Sequence, residues 1–126
     1  MVQADISQLS GECNTWRESL RTYRDEINQL KQNLQRIAGN PLSKDQLQDV
    51  EHYHNQFHIQ LINIHDLKQA IKAHDRRVNF EVAANSGQVA EDTIHDHEKL
   101  NDEYLALEHT LQDLREEFRN FSDRAN

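Results

Sequence analysis

The side chains of this sequence best suited to chemistry are its eight histidines. Two of them, His54 and His58, are four residues apart, a spacing that places both imidazoles on one face of a helix. Neutral imidazoles arranged in this way can bind Zn²⁺ or another divalent cation. The pair is therefore a candidate metal site, and solvated surface histidines are the simpler interpretation.

Glutamate and histidine also occur in the spacing that di-iron helical bundles use. Glu51 precedes His54 by three positions, which gives one Glu-x-x-His motif. Di-iron bundles need two such motifs and two further glutamates, spread over four helices. The sequence has only this one motif, so it does not predict a di-iron centre.

Nucleophilic and phosphate-binding chemistry find no support. The single cysteine, Cys13, lies at an apolar position of the first predicted helix, where a thiol usually acts as a small hydrophobic group. The glycines Gly11, Gly39 and Gly87 are far apart, so no glycine-rich phosphate loop exists. We therefore expect a protein that is not an enzyme and has no cofactor.

Three amphipathic helices are expected to position these residues. In the first, apolar residues recur at alternating steps of four and three, the heptad pattern of helix packing. This helix begins near Val2, or later if Ser7 or Ser10 caps it. Its seam contains Val2, Ile6, Leu9, Cys13, Trp16, Leu20, Tyr23, Ile27, Leu30, Leu34 and Ile37. The third helix has the same pattern in Ala90, Thr93, His97, Leu100, Tyr104, Leu107, Leu111, Leu114, Phe118, Phe121 and Ala125.

Turn and capping residues separate the helices. Gly39-Asn40-Pro41 ends the first helix, and Ser43 with Gln46 forms a capping box for the second. Asn85-Ser86-Gly87 is the second turn, with Asn85 or Ser86 as the cap of the third helix. Short connections make neighbouring helices antiparallel. The prediction is one all-α domain over residues 1–126, an up-down-up three-helix bundle with helices at about 2–38, 44–84 and 87–123.

The second helix has a mixed seam. It contains Leu47, Val50, His54, Phe57, Leu61, Ile64, Lys68, Ile71, Asp75, Val78 and Val82. One row of this seam includes His54, Lys68 and Asp75, and polar core residues can fix the register of a bundle. Alternatively, because Tyr53 and Leu67 flank the seam, the buried stripe could turn slightly and leave Lys68 at its rim.

Apolar residues also lie off the seam of the second helix. Ile59, Ile62 and Phe80 form a candidate face for a partner, since a helix that is apolar on more than one side packs on more than one side. The simpler explanation is that each helix of a three-helix bundle contacts two others.

A polar layer is expected near one end of the bundle. If the chain reverses at the second turn, His74 and Asp75 lie level with Asp96 and His97, and residues near Ile6 join them. Asp75 and His97 then occupy core positions. A buried Asp–His pair would respond to pH, and the alternative is a hydrogen-bonded pair that sets the register.

Composition limits the partners. The net charge is −8 and no long basic run occurs, so neither nucleic acid nor an anionic membrane is expected to bind. No apolar run approaches the ~20 residues of a membrane span. The N-terminal sequence lacks the basic start and apolar core of a signal peptide, so the expected location is the cytoplasm.

The third helix resembles that of a spectrin repeat. The resemblance rests on Leu100-Asn101-Asp102-Glu103-Tyr104, followed by Leu107, Arg115 and Phe118. Trp16 also falls where spectrin repeats carry a tryptophan in their first helix. Tyr104 stands where those repeats usually have a second tryptophan. The resemblance implies a three-helix rod and the role of a cytoskeletal scaffold.

Together these patterns predict a non-enzymatic helical bundle that acts as a protein–protein interaction or structural module. Its partner would be another protein or a second copy of the chain, giving a homodimer. The alternative is a metal-binding helical protein that uses histidines and carboxylates of the second helix, with His54 and His58 as ligands.

Overall fold

The computed structural model describes residues 2–3 and 5–125, and it confirms an all-α bundle of three long helices. The helices are α1 (Ile6–Ala38), α2 (Lys44–Ala84) and α3 (Glu91–Ala125). Two short strands, β1 (Val2–Gln3) and β2 (Gln88–Val89), pair antiparallel beside the second turn. Over the described residues, no helix combines the length and apolar character that a membrane crossing requires.

Contacts between the helices give their directions. In the contacts between α1 and α3 the residue numbers of both helices rise together, so these two helices are parallel. In the contacts between α2 and α3 the residue numbers of one helix rise as those of the other fall, so these two helices are antiparallel. The bundle therefore has the predicted up-down-up arrangement. The contacts are Glu12–His97, Glu26–Arg115, Tyr53–Glu117 and His74–His97.

The core follows the predicted seams of α1 and α3. Each described seam residue of these two helices is buried or half-buried. Near the first turn the core is aromatic: the rings of Phe57 and Phe118 meet edge to face at 5.2 Å, and Tyr53 packs against both. Edge-to-face geometry is the arrangement that aromatic quadrupoles favour.

The seam of α2 differs from the prediction by one position. In its strictly apolar row Phe57, Ile64, Ile71 and Val78 are buried and Val50 is half-buried. The second buried row is Tyr53, Gln60, Leu67 and His74. His54 is exposed, and Lys68 and Asp75 are half-buried. The stripe has therefore turned in the way that leaves Lys68 at the rim, because Tyr53 and Leu67 bury more apolar surface than the residues that follow them.

The start of α1 also differs from the prediction. Asp5, rather than Ser7 or Ser10, caps the helix by accepting a hydrogen bond of 3.1 Å from the backbone N–H of Gln8. The segment Val2–Gln3 lies outside the helix and pairs with Gln88–Val89.

The predicted capping box is present at the start of α2. The Ser43 hydroxyl accepts a hydrogen bond from the backbone N–H of Gln46, and the Gln46 side chain accepts one from the backbone N–H of Ser43.

The second turn is longer than predicted. Asn85 ends α2 instead of capping α3, and Ser86 and Gly87 have φ angles of 54° and 87°. These left-handed residues reverse the chain, and α3 begins only at Glu91.

Candidate functional site

A buried histidine pair joins α2 to α3. Nε2 of His74 lies 2.9 Å from Nδ1 of His97, a hydrogen-bond distance, and the ring centroids are 5.0 Å apart. Each residue is only 6% exposed. Because one nitrogen must donate and the other accept, the contact requires at least one neutral imidazole.

Cys13 of α1 completes a cluster at this level. The cysteine is fully buried, and one potential ligand atom from each of Cys13, His74 and His97 lies within 4.8 Å of the other two. Each helix contributes one member of the cluster. We refer to these three residues as the Cys–His layer.

The second ring nitrogen of His97 faces α1. Nε2 is buried and has no hydrogen-bond partner in the described part of the chain, and the nearest carboxylate oxygen, from Glu12, is 3.6 Å away. Trp16 packs on the His97 ring with centroids 4.8 Å apart. An aromatic wall and an acidic group thus fix the position of this imidazole.

The predicted polar layer is present, but Asp75 and His97 do not pair with each other as expected. Asp75 accepts a hydrogen bond of 3.3 Å from the hydroxyl of Ser10, and Arg17 approaches its other oxygen at 3.5 Å. His97 pairs with His74 instead, since His74 lies in the buried row of α2 and Asp75 lies beside it.

Burial favours the uncharged forms of two members of the Cys–His layer, His74 and Cys13. It lowers the pKa of His74, and the neighbouring His97 lowers this pKa further. Burial likewise raises the pKa of the Cys13 thiol to about 11, with the Asp75 carboxylate adding to the effect. Near neutral pH these two groups are a neutral imidazole and a protonated thiol. Such a layer can set the register of the bundle or exchange its protons for a metal ion.

Sequence reasoning missed a second polar contact, which lies at the turn between α2 and α3. The Glu81 carboxylate accepts hydrogen bonds from the backbone N–H of Ala90 at 2.8 Å and from the hydroxyl of Thr93 at 2.7 Å. Arg77 binds the same carboxylate at 2.8 Å. The donation from Ala90 is the largest cause of the lowered pKa of Glu81. The sequence does contain a signal for this contact. Glu81 follows His74 by seven positions, one heptad, and so continues the second buried row of α2.

The histidines predicted to bind metal lie elsewhere. His54 and His58 are both exposed on α2. Among residues 5–125, the group found with three potential metal ligands close together is the Cys–His layer. The structure therefore gathers candidate ligands in the core, at residues that sequence reasoning had assigned to packing or to the polar layer.

Surface grooves border the Cys–His layer on two sides. One groove of about 370 Å³ lies between α2 and α3 and is lined by His74, Arg77 and Asp96, among others. Another, of about 500 Å³, lies between α1 and α3 and is lined by His97 and Glu12. Each imidazole thus lies directly behind a groove.

The predicted partner face is exposed. Ile59 and Ile62 are 45% and 47% exposed on α2, and Phe80 is 73% exposed. Phe80 lies roughly 27 Å beyond Ile62, at about 1.5 Å per residue, so it does not belong to the same patch. We call Ile59 and Ile62 the isoleucine pair.

Comparisons with family models, with curated proteins and with solved structures gave no match for this chain.

Proposed function

We propose that this protein is a non-enzymatic helical module that binds another protein through the outer face of α2. The observation that carries this proposal is the isoleucine pair, Ile59 and Ile62, exposed side by side on a helix whose other face is already buried. Residues three apart are neighbours on a helix surface, so the two side chains form one apolar patch.

The surroundings of the isoleucine pair suit an interface. The residues four positions before and after each isoleucine are all polar and exposed: Asn55, His58, Asn63 and Asp66. An apolar centre with a polar rim is the usual composition of a protein–protein contact. Covering the exposed half of each isoleucine would contribute about 1 kcal/mol per side chain.

Two kinds of occupant fit this face. One is a different protein, for which the net charge of −8 favours a basic surface. The other is a second copy of the chain, which would set two isoleucine pairs against each other around a two-fold axis. The resemblance to spectrin repeats agrees with a scaffolding role in either case.

The test is a double substitution that introduces two negative charges, compared with a matched control. The double variant Ile59→Glu/Ile62→Glu places carboxylates on the isoleucine pair, and Leu105→Glu makes the same change at a 51% exposed position of α3. Light scattering coupled to size exclusion measures self-association, and affinity capture measures the binding of other proteins. We expect the double variant to lose a dimer or a captured protein that Leu105→Glu retains. Unchanged assembly and capture in the double variant would refute the proposal.

A further inference from the structure

We infer that the Cys–His layer is a binding site for one zinc ion, held by Cys13, His74 and His97. The inference is independent of the isoleucine pair. It starts from composition: a thiolate and two imidazoles are ligands that Zn²⁺ prefers in proteins. One ligand comes from each helix, so the ion would join all three.

The distances are close to those that zinc requires. With Zn–N bonds of about 2.0–2.1 Å and a Zn–S bond of about 2.3 Å, tetrahedral ligand atoms are roughly 3.3–3.6 Å apart. One ligand atom from each of the three residues lies within 4.8 Å of the other two, and Nε2 of His74 is 2.9 Å from Nδ1 of His97. Binding would require these two nitrogens to separate by about 0.4 Å and the sulfur to approach by roughly 1 Å.

The orphaned nitrogen of His97 supports the same site. Nδ1 of His97 faces His74, so it is the nitrogen that would bind the ion, and Nε2 would then carry the hydrogen of the neutral ring. Histidines that bind metals usually donate this second N–H to a carboxylate. Nε2 is buried without a hydrogen-bond partner in the described chain, and a carboxylate oxygen of Glu12 lies 3.6 Å from it. A small shift of either group would complete the contact.

The proton balance is simple. The ion would take the place of the proton between His74 and His97, and that proton would move to the other nitrogen of the imidazole that carried it. Cys13 binds as the thiolate and releases one proton to solvent, as metal-bound thiols do. A water molecule from the adjoining groove would occupy the fourth position. Glu12 and Asp75 lie near the thiol and offset the charge of the ion.

The experiment uses the full chain without a histidine tag, with Zn²⁺ and Co²⁺ each added alone. We expect one ion per chain, a higher melting temperature with Zn²⁺, and a thiolate-to-cobalt charge-transfer band with Co²⁺. Cys13→Ser should abolish the band and weaken zinc binding by roughly 100-fold or more, since a direct ligand contributes more than an outer-shell partner. Glu12→Gln should keep the band and weaken binding by about 10- to 100-fold.

The matched control removes two other histidines. His54→Ala/His58→Ala should leave both stoichiometry and band unchanged, because these residues are exposed on another face of α2. The spectrum of the unaltered protein decides the matter even if Cys13→Ser does not fold. A cobalt complex without a charge-transfer band, no stoichiometric binding, or binding lost only in the control would overturn the inference.

Discussion

The Glu81 carboxylate of α2 accepts a hydrogen bond of 2.7 Å from the hydroxyl of Thr93, a residue of α3 that is completely buried. The same carboxylate accepts from the backbone N–H of Ala90, just before α3 begins. One side chain thus satisfies two donors at the start of the next helix. This contact therefore connects the two ends of the turn between α2 and α3, which also contains the left-handed residues Ser86 and Gly87.

Replacing Glu81 should therefore destabilise the bundle. In Glu81→Gln, the amide keeps the shape of the side chain but loses the charge that strengthens its hydrogen bonds, at a cost of about 1–2 kcal/mol in the free energy of unfolding. Urea denaturation measures the difference. Glu116→Gln is the matched control, because the Glu116–Arg119 ion pair is exposed and should contribute less than about 0.5 kcal/mol. Equal losses in the two variants would contradict this account.

The contribution of Glu81 should also depend on pH. Its pKa in the folded protein lies below the ordinary value of 4.5, so the unfolded chain takes up the proton first as the pH falls. The stabilisation is complete above pH 4.5 and is lost as the pH falls through the folded pKa. The stability difference between the unaltered protein and Glu81→Gln should shrink between about pH 7 and about pH 3. A difference that stays constant over this range would contradict the assignment.

Two phenylalanines of α2 should differ strongly in their response to truncation. Phe57 is fully buried against Phe118, whereas Phe80 is mostly exposed. Phe57→Ala should lower the free energy of unfolding by about 3–5 kcal/mol, through lost burial and a cavity. Phe80→Ala, the same change on the same helix, should alter it by less than about 0.5 kcal/mol. Chemical denaturation of both variants measures the contrast, and comparable losses would show that the core is placed incorrectly.

Two glycines should also respond with opposite signs. Gly11 lies inside α1 with nothing within 4 Å of an added Cβ, so Gly11→Ala should stabilise the protein by about 1 kcal/mol. Gly87 has a φ of 87°, so Gly87→Ala should destabilise it by about 1–2 kcal/mol. Thermal unfolding of the two variants provides the test. A rise in melting temperature for Gly87→Ala would mean that the turn is not left-handed.

Heptad spacing was sufficient to predict three helices and most of the core. It worked because the seams of α1 and α3 are apolar at nearly every position, so only one rotation of each helix buries them. In α2 the candidate rows overlap, and the choice between His54 and Tyr53 depends on packing against two neighbouring helices at once. Spacing along one helix does not contain that information.

The Cys–His layer was predicted only in part. Counting from the second turn placed His74 and His97 at one level, which the structure bears out in their contact. The same counting placed Ile6 beside them, whereas Glu12 and Trp16 contact His97. The shift of about two turns arises where the chain passes between α1 and α2, because the offset between packed helices depends on the path of the loop and not on its length alone.

The most direct test of the central claim, that the outer face of α2 binds a protein, is site-specific photo-crosslinking. A photoreactive amino acid replaces Ile62 in one version of the full chain and Leu105 in another, and both are irradiated in extracts of cells that contain the protein. We predict a discrete cross-linked species, either a dimer or a complex with one other protein, from position 62 and none from position 105. No adduct from position 62, or the same adducts from both positions, would contradict the claim.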